Sequence, residues 1–106
     1  MALTLAQQGS QLTTAAEIEI VNITSLNHFA AYIFTDPMQS GDRLTVRVFV
    51  LDDQGATTKK YLDVELIDVQ ATPAVFIPFV PANQYRITIQ RTGGVDRTYN
   101  FSVFTV

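Results

Sequence analysis

The chain contains no cysteine, no tryptophan and only one histidine. Without cysteine there are no disulfides, no thiolate zinc sites and no thiol nucleophile. A single histidine excludes metal sites built on paired imidazoles. Charge is also scarce: Asp, Glu, Lys and Arg make up 16% of 106 residues, against about 25% in ordinary globular chains. The net charge of −3 argues against nucleic-acid binding, which draws its affinity from a basic surface. No apolar run approaches the roughly 18 residues of a membrane-spanning helix. The first ten residues, Met-Ala-Leu-Thr-Leu-Ala-Gln-Gln-Gly-Ser, have neither the positive start nor the apolar stretch of a secretory signal. The chain reads as a complete small gene product.

Hydrophobic residues, at 47%, are plentiful, so one domain with a real core is expected. Their spacing has period two, the spacing of a strand with one wet face. Glu17 to Ile23 sets Ile18 and Ile20 against Glu17 and Glu19. Phe29 to Thr35 predicts a second strand. Arg43 to Leu51 sets Leu44, Val46, Val48 and Val50 against Thr45, Arg47, Phe49 and Leu51. Lys60 to Val69, Ala74 to Val80, Gln84 to Arg91 and Arg97 to Val106 complete the set. Pro78 counts against a regular central strand in the 74–80 run.

Turns are expected at Ser25–Asn27, Asp36–Asp42, Asp52–Gly55, Ala71–Pro73, Pro81–Asn83 and Thr92–Asp96, where Gly, Pro, Asn and Asp cluster. Residues 1–16 carry no charge and read as an N-terminal arm or a first edge strand. Gln7–Ala16 is the one stretch that could hold a helical turn. The expectation is an all-β, antiparallel β-sandwich or jelly-roll-like domain of about seven to eight strands. Residues 17–106 form its body.

Catalytic chemistry is hard to assemble. Asp52 and Asp53 are adjacent, and Asp36 and Asp42 flank one loop, but Asp is at home in turns and no EF-hand spacing is present. His28 has only Ser25 near it in sequence, which does not make a triad. Asn22-Ile23-Thr24 and Asn100-Phe101-Ser102 match glycosylation sequons but fall in predicted strands. Thr92-Gly93-Gly94 is a turn rather than a phosphate cradle, because no helix follows. Arg86, Arg91 and Arg97 could gather on the last hairpin and meet an acidic partner. Tyr32, Tyr61, Tyr85 and Tyr99 fit core or cross-strand roles. The expectation is no enzyme, no metal and no cofactor.

One anomaly points to function. Phe49 and Leu51 oppose an already apolar row. Phe104 and Val106 oppose Tyr99, Phe101 and Val103, and the 75–80 run has almost no polar face. A sandwich of this size needs one apolar face per strand, so the surplus suggests contact with other chains. Leu3, Leu5, Phe76, Phe79, Phe104 and Val106 are the interface candidates.

The C-terminal third carries a resemblance. Pro78-Phe79-Val80-Pro81-Ala82-Asn83-Gln84-Tyr85-Arg86-Ile87-Thr88-Ile89 is followed by Arg91-Thr92-Gly93-Gly94 and Arg97-Thr98-Tyr99-Asn100-Phe101-Ser102-Val103. With the overall size and the Cys-free, Thr-rich make-up, this resembles small β-sandwich virion proteins of tailed bacteriophages, of the capsid decoration (cement) type. The resemblance implies a homo-oligomer seated on the major capsid protein. It implies a location in the virion, assembled in the host cytoplasm, and no catalytic residues. A carbohydrate-binding β-sandwich module, with a glycan as partner, is the alternative.

Overall fold

The computed structural model describes residues 4–51 and 59–105, except for the side chains of Phe76, Pro78 and Phe79. The alternating segments become six strands: β1 (Thr4–Leu12), β2 (Ile18–Phe34), β3 (Arg43–Leu51), β4 (Lys59–Ile67), β5 (Ala74–Gly93) and β6 (Thr98–Thr105). All pairings are antiparallel, in the order β1-β6-β2-β5-β3-β4.

β2 and β5 are 17 and 20 residues long, and each runs through both halves of one continuous six-stranded sheet, which folds into two layers. The second half of β2 pairs with β6 and the first half of β5; the first half of β2 pairs with the second half of β5, which also pairs with β3. The crossing lies where the register shifts between Thr24 and Asn27, opposite Gln84 and Ala82. An extra residue in one strand bends it and increases its twist.

The expected turns at Ser25–Asn27 and Pro81–Asn83 are therefore not turns. They face one another in the ladder and form a shared bend, with pairing kept on both sides. A second shift, between Phe29 and Ala31, passes over Pro78 and Phe79. Proline has no ladder N–H to give, so an irregular step suits that position.

The ring contact between Phe29 and Tyr85 shows how far the sheet folds. Phe29 is in register with Val80, five residues before Tyr85. Along a flat strand that separation is roughly 17 Å. Yet the rings stack with centroids 4.9 Å apart and planes 8° apart. The two halves therefore face each other across a core. One sheet runs β1, β6, second half of β2, first half of β5. The other runs first half of β2, second half of β5, β3, β4. Counted by halves, these are eight antiparallel segments in two four-stranded sheets, joined as in a jelly roll.

The core is drawn from both sheets. Phe29, Ile33, Ile77 and Val103 meet Val46, Val48, Tyr85 and Ile87, each fully buried. The row Leu44, Val46, Val48, Val50 faces inward as its spacing predicts; the first three are buried and Val50 packs against them.

Residues Thr4–Leu12 form edge strand β1, paired with β6 from Thr4–Thr105 to Leu12–Thr98. The helical turn considered for Gln7–Ala16 does not form. Gln7–Leu12 lies in the ladder with β6, and Thr13 and Thr14 continue with backbone bonds to Arg97 and Arg91. Gln and Ala are good helix formers, but local propensity is overridden here by the open edge of β6, which offers paired backbone bonds. The expected turn at Asp52–Gly55 lies outside the described residues.

At one end, Asp42 clasps two loops together. Its carboxylate accepts from the backbone N–H groups of Gln39 and Val95 and from the Arg97 guanidinium, while the residue is 3% exposed. Gly94, at φ 79°, fits beneath it, since a Cβ there would stand 2.3 Å from Asp42 Oδ1.

Candidate functional site

The sequence segments of the first sheet, 4–12, 27–34, 74–82 and 98–105, contain no Asp, Glu, Lys or Arg. Its outer face follows from register. Phe104 is opposite Ala30 and Leu5, Ser102 is opposite Tyr32 and Gln8, and Asn100 is opposite Phe34 and Ser10. Tyr32 stacks on Phe34 with centroids 6.0 Å apart and meets Phe104 edge-on at 6.3 Å. Leu5 is 46% exposed and Tyr32 37% exposed. The result is an apolar, partly aromatic surface with a polar strip of Gln8, Ser10, Asn100 and Ser102 at its margin.

The outer face of the second sheet is built on charge. Arg47 Nη1 donates to Glu17 Oε2 at 3.1 Å and to Gln90 Oε1 at 3.0 Å, and its Nε lies 3.8 Å from Asp63. Arg86 Nε reaches Glu19 at 2.6 Å, and its guanidinium sits 5.2 Å from the Phe49 ring centroid. Phe49, one of the surplus apolar residues, is thus covered by a cation of its own chain. Lys60 pairs with Asp63 at 2.9 Å. The Thr88 hydroxyl, bonded to Glu17, holds that carboxyl below its ordinary value, with Arg47 adding to the effect. Lys60 does the same for Asp63.

The arginines singled out by sequence do not gather. Arg86 pairs with Glu19, Arg91 with Asp96 at 2.6 Å, and Arg97 with Asp42. Each is engaged by a carboxylate of the same chain, so no common basic patch faces an acidic partner. Asp36 and Asp42 do not converge on a cation site; Asp42 is spent on the loop clasp. Among the described residues, no three His, Asp or Glu side chains cluster as metal ligands. Asp52 and Asp53 lie outside them. His28 is exposed, opposite Pro81 in the ladder.

The tyrosines divide. Tyr85 and Tyr99 are buried core residues, as their strand positions suggest. Tyr32 and Tyr61 instead reach the surface, on β2 and on β4, with β5 and β3 between them in the strand order. They do not form one stacking platform.

Of the interface candidates, Leu5 and Phe104 are brought side by side on the uncharged face. Leu3 and Val106 lie outside the described residues, as do the side chains of Phe76 and Phe79, whose backbones belong to β5. Sequence reasoning missed Ala30, Tyr32 and Phe34 as members of this face. The signal was present: they have the parity opposite to Phe29, Ala31 and Ile33.

No family model matches the chain, and no curated protein does. Solved structures do align with it. One chain in the structure of the infectious bursal disease virus Gt strain aligns with 99% of this chain at TM-score 0.49 and 13% identity. The crystal structure of the infectious bursal disease virus VP2 subviral particle aligns over 99% at TM-score 0.42 and 9% identity. In both cases this chain spans 32% of the matched chain, about a third of its length.

Proposed function

We propose that this chain is a non-enzymatic structural subunit of a virus particle, of the capsid decoration (cement) type. It docks on major capsid proteins through the outer face of its uncharged sheet and stabilises contacts between them. The carrying observation is that face itself: Leu5, Tyr32, Phe34 and Phe104, set around the buried Ala30 in a sheet whose four strand segments carry no charged side chain. Interface centres are typically depleted in charge and enriched in aromatic residues. Jelly rolls serve in viral capsids and in lectins, so the fold permits this role without selecting it. A subunit that binds only the assembled shell stabilises the shell by mass action.

The test uses shells of the particle in which the chain occurs, stripped of it. Wild-type protein should band with the shells in a density gradient and raise their disruption temperature. Tyr32→Lys, which places a charge at the centre of the face, should remain folded by circular dichroism and stay in the soluble fraction. Wild-type protein that fails to band, or a Tyr32→Lys variant that bands equally well, would reject the proposal.

A further inference from the structure

An open strand edge invites pairing, and proteins usually guard it with charge, proline or a covering segment. Three of the four sheet edges in this molecule are guarded. β4 carries Lys59, Lys60, Asp63 and Glu65. The first half of β5 carries Pro78 and Pro81. The first half of β2 is met by β1, with the Gln7 side-chain amide donating to the Ile20 carbonyl at 3.2 Å. β1 is different. It is nine residues long, contains neither charge nor proline, is mostly exposed, and among the described residues pairs only with β6.

We infer that β1 is a self-association edge, which pairs antiparallel with β1 of a second copy of this chain and joins the two uncharged sheets into one.

The register follows from the side chains. The outer face of β1 carries Leu5, Gln8, Ser10 and Leu12, since these oppose Phe104, Ser102, Asn100 and Thr98. The bulge between Leu5 and Gln7 is what returns Leu5 to that face. A two-fold axis at Gly9 then sets Ser10 opposite the partner's Gln8. With the same bulge, Leu12 comes opposite the partner's Leu5. Leu5 and Leu12 are 46% and 52% exposed, and each is covered by the other in this arrangement. No charge faces a charge anywhere along the strand. A strand that matches itself end for end is what an isologous dimer requires.

A second copy is favoured over a foreign peptide by this self-matching, which an unrelated sequence has no reason to share. Uncharged β1 also lets two chains of net charge −3 approach without an opposed pair at the contact. The joined sheets would present one uncharged face about twice as wide, with the two apolar areas on either side of the polar residues at the axis and strand spacings of about 4.8 Å. The inference does not depend on the virion role, because it concerns the edge and not the face.

The test is sedimentation velocity of the full chain over a concentration series, without shells. Wild type should show a monomer–dimer equilibrium. Gln8→Lys with Ser10→Lys sets lysine opposite lysine twice across the axis and should weaken self-association at least about tenfold. Gln8→Lys with Ser10→Asp sets opposite charges at the same two places and should restore the dimer. Both positions are exposed, and circular dichroism checks that both variants keep the fold. Wild type that stays a single copy to its solubility limit overturns the inference. So does a double-lysine variant as dimeric as wild type, or a Lys/Asp variant as dissociated as the double lysine. Tyr32→Lys should dimerise normally, which separates this result from failure to bind shells.

Discussion

Leu5, Ala30, Tyr32, Phe34 and Phe104 form the outer face of one sheet; Glu17, Glu19, Arg47, Asp63 and Arg86 mark that of the other. Both sheets bury equally apolar inner faces in one core. The difference therefore has nothing to do with making the fold. A solvated face gains solubility from mixed charges and loses little if one is removed. A face of aromatic and aliphatic side chains gains nothing from water, and on the proposed reading it is kept for contact. The chain's low charge content, seen in the whole sequence as an average, is really a division between two surfaces.

The charge with the largest structural effect lies on neither face. Asp42 sits in the loop between β2 and β3, which links the two sheets, and holds Arg97 at the entry to β6. Asp42→Ala strands two backbone N–H groups and the guanidinium, and should cost about 3 kcal/mol in denaturant unfolding. Arg97 chiefly, then the Gln39 and Val95 N–H groups, hold the Asp42 carboxyl below its ordinary 3.8. A carboxyl depressed by folding gives stability that is present above the unfolded value and lost as pH falls through the folded one. Wild type should therefore weaken as pH falls below about 4, and Asp42→Asn should lose much of that acid dependence. Equal acid slopes in the two proteins would show that the clasp is not what ties the sheets together at low pH.

How much of this was legible beforehand depended on whether the signal was local. Period two in 43–51 and 84–91 marks strands directly, and the inward rows Leu44/Val46/Val48 and Tyr85/Ile87/Ile89 match it. The bends at 25–27 and 81–83 read as turns because Ser, Asn and Pro mark both. Only the facing register shows that the two breaks coincide and keep their pairing. Phe104 was singled out by counting surplus apolar residues, and Leu5 as part of the N-terminal arm. Their adjacency to Tyr32 and Phe34 required strand order, which period two does not encode. Nor could the partners of Arg86 and Arg97 be read, since Glu19 and Asp42 are distant from them in sequence.

The charged face offers the next test of the contrast. Arg47 links Glu17, Gln90 and Asp63 with its side chain about a quarter exposed. Arg47→Met keeps much of the stem's packing and removes the charge. Because half-exposed ion pairs are weak, the loss should be no more than about 1 kcal/mol. It should shrink as salt is added, since screening already weakens the wild-type pairs. A loss as large as that of Asp42→Ala, unchanged in high salt, would mean that this surface holds the fold together and is not merely solvated.

The smallest effect is expected where the two sheets touch. Tyr85 from the charged sheet stacks on Phe29 from the uncharged one, and its hydroxyl is buried without a hydrogen-bond partner among the described residues. The ring does the packing, while the hydroxyl has given up water for nothing. Tyr85→Phe keeps the stack and removes the stranded group, so stability at neutral pH should change by less than about 1 kcal/mol, in the favourable direction. Burial pushes the Tyr85 phenol well above its ordinary value of 10.0. A group whose pKa is raised by folding contributes stability below the unfolded value and loses it as pH rises toward the folded one. Wild type should thus weaken above pH 10, when the unfolded chain ionises and the folded one resists. Tyr85→Phe should flatten that alkaline decline, leaving the smaller share of Tyr99, whose phenol is raised by burial and then by Asp42. If Tyr85→Phe is clearly destabilising at neutral pH, the hydroxyl has a partner, and the contact between the sheets is polar as well as stacked.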